Sequence, residues 1–214
     1  SIGTREYLRV LNAGGRPVES LPVAEARKVL ADVQAAVEVD LSGIDERERE
    51  IVADGHALTL HLVRPHGSRG RLPYFVFIRG GGWVLGDYST HRRLVRDLVV
   101  ESEVAAVFVD YTPSPEAKYP QAVDEIYAAV KWVAENDAEL DLDRRRMALV
   151  GNSAGGNMAL AAALLAKKRH APAVRALVLL WPVTSASSDW KSYALYGGER
   201  FLTAPLMKWM FDRY

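Results

Sequence analysis

The clearest chemistry in the sequence lies in Gly151-Asn152-Ser153-Ala154-Gly155, set between an apolar run and an Ala-rich one. This G-x-S-x-G pattern is what a serine needs to stand at a sharp strand-to-helix corner. Such a corner forces strained backbone angles on the serine, and glycines two residues to either side spare it side-chain clashes. The hydroxyl is lifted clear of the sheet edge, and the following helix directs its free N–H groups at any negative charge that develops there. The chemistry predicted is nucleophilic attack by Ser153. A phosphate-cradling loop is the competing reading, but it calls for a Lys after its last glycine, and Gly156 is followed by Asn157.

A second glycine cluster follows an earlier apolar run, Arg79-Gly80-Gly81-Gly82-Trp83. Acyl transfer to a serine creates an oxyanion that needs preorganised N–H donors, each worth roughly 3 kcal/mol. Consecutive glycines let backbone amides approach a substrate closely, and the Ala154 amide completes the set. A glycine triplet alone is usually just a loop; ahead of a nucleophile turn it gains this specific use.

A serine at its ordinary pKa also needs a base, itself oriented by an acid. The histidine that follows Ser153 is His170, at the far end of the helix that starts at the corner. That helix carries it roughly 24 Å away over about sixteen residues, so His170 is excluded as the base. His56, His61, His66 and His91 precede the serine, and His91, just after the glycine loop, reads as a helix-start or packing residue. Asp189 and Asp212 read as solvated or capping groups.

The two glycine turns need buried strands before them and helices behind. Tyr74 to Ile78, Val104 to Val109, Met147 to Val150 and Ala176 to Trp181 are apolar runs without alternation, as a sheet covered on both faces requires. Leu58, Leu60 and Leu62 alternate with Thr59, His61 and Val63 and predict an outer strand, while the charged run Asp45 to Glu50 reads as a solvated linker or edge strand. Helical patterns at Thr90 to Val100, Gln121 to Ala134 and Ala154 to Lys168 alternate with the strands. The fold class is therefore α/β with a mostly parallel, doubly wound sheet. Upstream, Thr4 to about Glu38 predicts two helices joined across Asn12 to Pro17. The second carries Val23, Ala26, Leu30, Val33 and Val37 on one face behind an N-cap at Ser20. Downstream, Pro182 to Tyr214 breaks the rhythm, and its amphipathic Leu202 to Tyr214 end predicts an apolar helix whose partner surface lies elsewhere.

Composition narrows the function classes. The chain has 214 residues, 27 Lys+Arg against 27 Asp+Glu, 49% hydrophobic residues and no cysteine, which fits one globular unit able to bury a core. Lack of cysteine removes a disulfide framework, a zinc–thiolate site and a thiol nucleophile. Balanced charge removes the electrostatic basis for binding nucleic acid. The longest apolar stretch, Met158 to Ala166, is far short of the roughly 20 residues a bilayer demands, and Ser1 to Glu6 has no basic-then-apolar leader pattern. A cytoplasmic protein without a membrane span is expected. Ser1 is not a Met, so the chain reads as processed, tagged or part of a longer one.

Gly80-Gly81-Gly82-Trp83-Val84-Leu85-Gly86-Asp87, then Asp110-Tyr111 with Pro115-Glu116 and Tyr119-Pro120, then Gly151-Asn152-Ser153-Ala154-Gly155-Gly156-Asn157 resemble the hormone-sensitive-lipase-like branch of α/β-hydrolase carboxylesterases, with its H-G-G-G-W and G-D-S-A-G-G motifs. The resemblance implies the α/β-hydrolase fold with helical cap elements, and hydrolysis of small, short-chain acyl esters through an acyl-enzyme on Ser153. It implies Gly81, Gly82 and Ala154 as oxyanion donors with Gly80 opening the loop, no metal and no dissociable cofactor. The partner is a small-molecule ester, and a homodimer is an admissible assembly. On this scheme residues 1–45 are N-terminal cap helices, 46–182 the first part of the hydrolase core and 183–214 a cap excursion. The family's acid and His come from beyond position 214, so the resemblance implies a chain that is truncated, incompletely ordered or completed by a second polypeptide, and inactive as 214 residues alone.

Three departures stand out. Arg79 replaces a family His that braces the glycine loop, and its longer, permanently charged fork does not occupy an imidazole's space. Asn152 replaces the commoner Asp, removing a negative charge beside the nucleophile, and Thr112 to Ser114 replaces R-L-A. Arg79 and the absent triad partners motivate an alternative, a non-catalytic ligand-binding protein on the same scaffold. The aromatics Trp181, Trp190, Tyr193, Tyr196, Phe201, Trp209 and Phe211 read as lid and core packing, some lining an acyl or alcohol pocket by analogy.

Overall fold

A computed structural model describes residues 15–198 and 201–214, with positions 3, 5, 6, 8 and 9. The expected helix beginning at Thr4 and the Asn12 to Gly14 part of its turn therefore fall largely outside the described residues. The strands are β1 (Ile44–Ala53), β2 (His56–Pro65), β3 (Leu72–Ile78), β4 (Ala105–Asp110), β5 (Leu142–Asn152) and β6 (Ala176–Leu180). The helices are α1 (Val23–Ala35), α2 (Tyr88–Ser102), α3 (Gln121–Glu135), α4 (Ala154–Lys168), α5 (Lys191–Tyr196) and α6 (Ala204–Phe211).

The strands form one six-stranded sheet in the order β1-β2-β4-β3-β5-β6. From β4 to β6 the pairing is parallel, and β1 and β2 join antiparallel. The apolar runs become the central strands because both their faces are covered. Tyr74, Val76, Ile78, Val107, Val109 and Leu149 meet α3 and α4 through Ile126, Ala129, Val133, Met158 and Ala162. Phe75, Phe77, Ala106 and Phe108 face the other way and meet Val95 and Val99 of α2. The sheet is thus covered by helices on both faces, as expected. Among the described residues no helix is long and apolar enough to cross a membrane.

Four local expectations are corrected. The strand carrying Leu58, Leu60 and Leu62 is not the outer one: β1 pairs along its length, from Ile44 opposite Pro65 to Ala53 opposite His56, and takes the edge. Asp54 and Gly55 both have positive φ, 48° and 85°, the backbone of a tight hairpin turn that fixes this register. The charged run thus becomes an edge strand, tied by Glu46 to Arg92 and by Arg49 to Glu139 at 2.7 Å, and charges of this kind discourage edge-to-edge association. Ser20 is not an N-cap; its hydroxyl donates to the Pro17 carbonyl within a 3-10 turn, and α1 begins after Pro22. Only part of the expected face meets the core: Ala26 is buried and Val23 and Leu30 pack on the core, whereas Val33 and, past the helix end, Val37 are 43% and 56% exposed. The apolar C-terminal helix finds its partner inside the chain, since Leu206, Trp209 and Met210 of α6 are buried in the main core and α6 meets the 3-10 turn Val18–Ser20.

Candidate active site

The corner between β5 and α4 turns on Ser153, whose φ of 53° and ψ of −122° lie where a side chain is strained. The flanking glycines explain how the chain tolerates it. A Cβ on Gly155 would stand 2.0 Å from the Ile78 carbonyl oxygen, and one on Gly151 would stand 2.4 Å from the Gly155 carbonyl oxygen. The corner is packed backbone to backbone against the end of β3. It is also clamped from β6: Ser153 N–H donates to the Leu180 carbonyl at 2.9 Å and Val183 N–H donates to the Ser153 carbonyl at 3.2 Å. Ser153 itself is half-buried, at a surface a substrate can reach.

The loop after β3 comes to lie beside this corner. Gly80 N–H donates to Asn152 Oδ1 at 2.9 Å, so Gly80 opens the loop with its own amide engaged. Gly81 and Gly82 have φ of 107° and 59°, and a Cβ on Gly81 would come within 2.1 Å of the Leu85 carbonyl oxygen. Gly82 packs under the Met210 side chain, and Trp83 stacks on Tyr214 with ring centroids 4.5 Å apart and leans on Phe211 at 5.1 Å. Helix α6 and the residues after it therefore cover the loop, a role that their sequence did not reveal.

Arg79 is 1% exposed, and its fork extends beneath the loop. It donates to the carbonyls of Tyr111 at 3.0 Å and Leu85 at 3.4 Å, lies over the Tyr111 ring at 3.9 Å, and stands 3.6 Å from Asp110. The Tyr111 hydroxyl donates back to the Arg79 carbonyl at 3.1 Å, and burial pushes that phenol's pKa up, keeping it a donor. A buried guanidinium is costly to desolvate and persists only with such partners. The fork differs from an imidazole in reach, yet it braces the same loop. The loop after β4 has its own brace: the buried carboxylate of Glu125 accepts from the Thr112 N–H at 2.8 Å and from Gln121 Nε2 at 2.8 Å. Sequence reasoning missed Glu125 because an acid in an apolar helix reads as a solvated residue.

His91 lies in the first turn of α2, behind an Asp87–Thr90 capping box, with its ring between Phe77 and Phe108. Burial pulls its pKa down to about 4, so it is neutral. His170 stands exposed just past the far end of α4, and Asp189 and Asp212 are bonded to Ser187 and Lys208. A groove of about 550 Å³ lined by Ala166, His170, Val174 and Leu177 sits at that same far end, away from Ser153. Trp181, 69% exposed, has φ of 41° in the segment that leaves β6 beside the Ser153 corner. Among the described residues no cluster of three or more His, Cys, Asp or Glu is placed to hold a metal ion.

The alpha/beta hydrolase fold family matches residues 75–214. An alpha/beta hydrolase of Acanthamoeba polyphaga mimivirus is 32% identical over 203 residues, which cover 93% of this chain and 57% of that one. The ethyl acetate hydrolase of Pseudomonas putida is 31% identical over 218 residues, 97% of this chain and 69% of the relative. The crystal structure of a thermostable esterase from Pseudomonas putida superposes with a TM-score of 0.98 at 51% identity, covering 100% of this chain and 67% of that one. The chain thus spans between 57% and 69% of the length of these three proteins.

Proposed function

This chain belongs to the alpha/beta hydrolase fold family, in its hormone-sensitive-lipase-like branch, and on that premise we propose that it is the nucleophile-bearing part of a serine carboxylesterase. The observation that carries the reading is the juxtaposition of a strained, reachable Ser153 with the glycine loop, joined through Asn152 and Gly80 at 2.9 Å. Ser153 Oγ attacks the ester carbonyl. The N–H groups of Gly81, Gly82 and Ala154 receive the charge that forms on its oxygen. An acid–His pair from outside these residues takes the serine proton and returns it to the leaving alcohol, and water then releases the acyl group. Substrates are small, uncharged, short-chain esters, in keeping with the ethyl acetate named for one relative. Residues 1–45 and 183–214 form the cap over the site, and the protein acts in the cytoplasm.

The test uses the full-length gene product with p-nitrophenyl acetate and butyrate. Ser153→Ala is expected to lower kcat by about 10⁴-fold or more. Equal turnover in both proteins would discard the assignment. A fluorophosphonate probe should label the parent protein and not Ser153→Ala; no labelling of either would favour ligand binding without turnover.

A further inference from the structure

We propose that Asn152 is a positioning residue that latches the glycine loop to the nucleophile corner, with the direction of its carboxamide set by His91. The inference rests on the reading of Ser153 as the nucleophile. It starts from the imidazole. His91 Nδ1 lies 3.2 Å from the Asp87 carbonyl oxygen, which can only accept, so Nδ1 carries the hydrogen. The Thr90 hydroxyl, 3.0 Å from the same nitrogen, already donates to the Asp87 carbonyl at 2.9 Å. In the neutral ring Nε2 is then a bare acceptor, and the Asn152 Nδ2 amide faces it at 3.5 Å. With its NH2 turned to His91, the carboxamide has its oxygen left for Gly80 N–H at 2.9 Å. The orientation is thereby specified from both ends.

The consequence concerns geometry next to the reacting atoms. Asn152 adjoins Ser153 in the chain, and Gly80 adjoins Gly81, so this side chain ties the nucleophile directly to the oxyanion donors. The contact is close: a Cβ on Gly80 would stand 2.6 Å from the Asn152 carbonyl oxygen and 2.9 Å from its Nδ2. The charged groups that act on His91 are Asp87, which caps its own helix, and Arg79 from the end of β3; β3 and β4 otherwise present the rings of Phe77 and Phe108, and β5 presents Asn152. A proton on Nε2 would set two donors against each other. The carboxamide would then turn over and release Gly80.

In the full-length protein, Asn152→Ala should lower kcat on p-nitrophenyl butyrate by about tenfold or more while KM moves less than about threefold, because the displaced donors act on the transition state. Asn152→Asp still accepts from Gly80 and should recover most of that loss. Its carboxylate also draws a proton onto the imidazole. In a Ser153→Ala background, NMR of the His91 ring should therefore show the titration midpoint rising by at least about one pH unit from its value near 4. An effect of Asn152→Ala on KM alone, or an equal His91 midpoint with Asn and Asp at 152, overturns the proposal. Should Asn152→Ala fail to fold, the same contrast is read from His91→Gln, which offers the carboxamide an acceptor, against His91→Lys, which offers only donors. Equal kcat in that pair overturns it too. Full turnover in Ser153→Ala would remove the esterase reading instead, and the NMR titration, made in that background, remains interpretable on its own.

Discussion

The corner from β5 into α4 turns on one residue and is closed backbone to backbone, with Gly151 against Gly155, Gly155 against the Ile78 carbonyl and Ser153 at φ 53°. The corner from β3 into α2 runs from Arg79 to Asp87 and is closed by residues far away in the chain. Asn152 takes the Gly80 amide, Arg79 reaches Tyr111, Arg27 Nε donates to the Val84 carbonyl at 2.8 Å, and Trp83 stacks on Tyr214. The two corners would share one task, holding a nucleophile and its oxyanion donors at fixed spacing. The short one is shaped by backbone sterics. The long one has several glycines, whose conformational freedom is large, and is shaped by side chains that arrive from four other segments.

This difference can be attacked from either side. The largest effect should come from Gly155→Ala, since the new Cβ would meet the Ile78 carbonyl oxygen at 2.0 Å and neither backbone can yield. A loss of more than about 3 kcal/mol in urea unfolding, or failure to fold, is expected; a loss under about 1 kcal/mol would show that the short corner is pliable. Next comes Arg79→Met, which leaves the Tyr111 and Leu85 carbonyls without their buried donor. A loss of about 2–3 kcal/mol is expected, with kcat falling more than KM changes. Arg79→His should also lower kcat, because an imidazole cannot span both carbonyls. A rise in kcat would mean that the fork distorts the loop instead of bracing it.

The smallest effect concerns the Arg27–Glu116 pair, which anchors α1 beside the same loop. Arg27 donates to both Glu116 oxygens, at 2.8 and 2.7 Å, and holds that carboxyl down to about 2. A folded-state pKa below the unfolded value of about 4.3 means the contribution is present above that pH and fades as pH falls toward 2. Glu116 is half exposed, so Glu116→Gln should cost no more than about 1 kcal/mol at neutral pH. The gap in Tm between parent and variant should close on acidification. A gap that stays constant from pH 7 to pH 2 would detach the effect from this charge pair.

Much of the scaffold was legible beforehand. The apolar runs at Tyr74 and Met147 became β3 and β5, and the helical pattern after Ser153 became α4, because buried strands and amphipathic helices leave periods in the sequence that survive folding. The outer strand was misassigned because the alternation at Leu58 to Leu62 reports one buried face and says nothing of which neighbour lies beyond it. Val33 and Val37 shared the expected face of α1 but met no core, since a face needs a partner that only the packed chain supplies. At the candidate site, Ser153 and the glycines announced themselves through spacing. His91 was legible as a helix-start and packing residue, but the contacts of Asn152, Glu125 and Tyr111 were not, as each belongs to a residue type with many ordinary uses.

The amino-acid sequence by itself determined the two glycine turns, the strand and helix that flank each, and hence that a serine hydroxyl would be lifted at a sheet edge. Those outcomes are written in residue types and periods that lie within a few positions of each turn. Only the tertiary structure decided that Asn152 would meet Gly80, that the Arg79 fork would run beneath the loop to Tyr111, and that α6 would close over Trp83. Those contacts join residues separated by long stretches of chain, and their distances follow from how the sheet twists and which faces it buries.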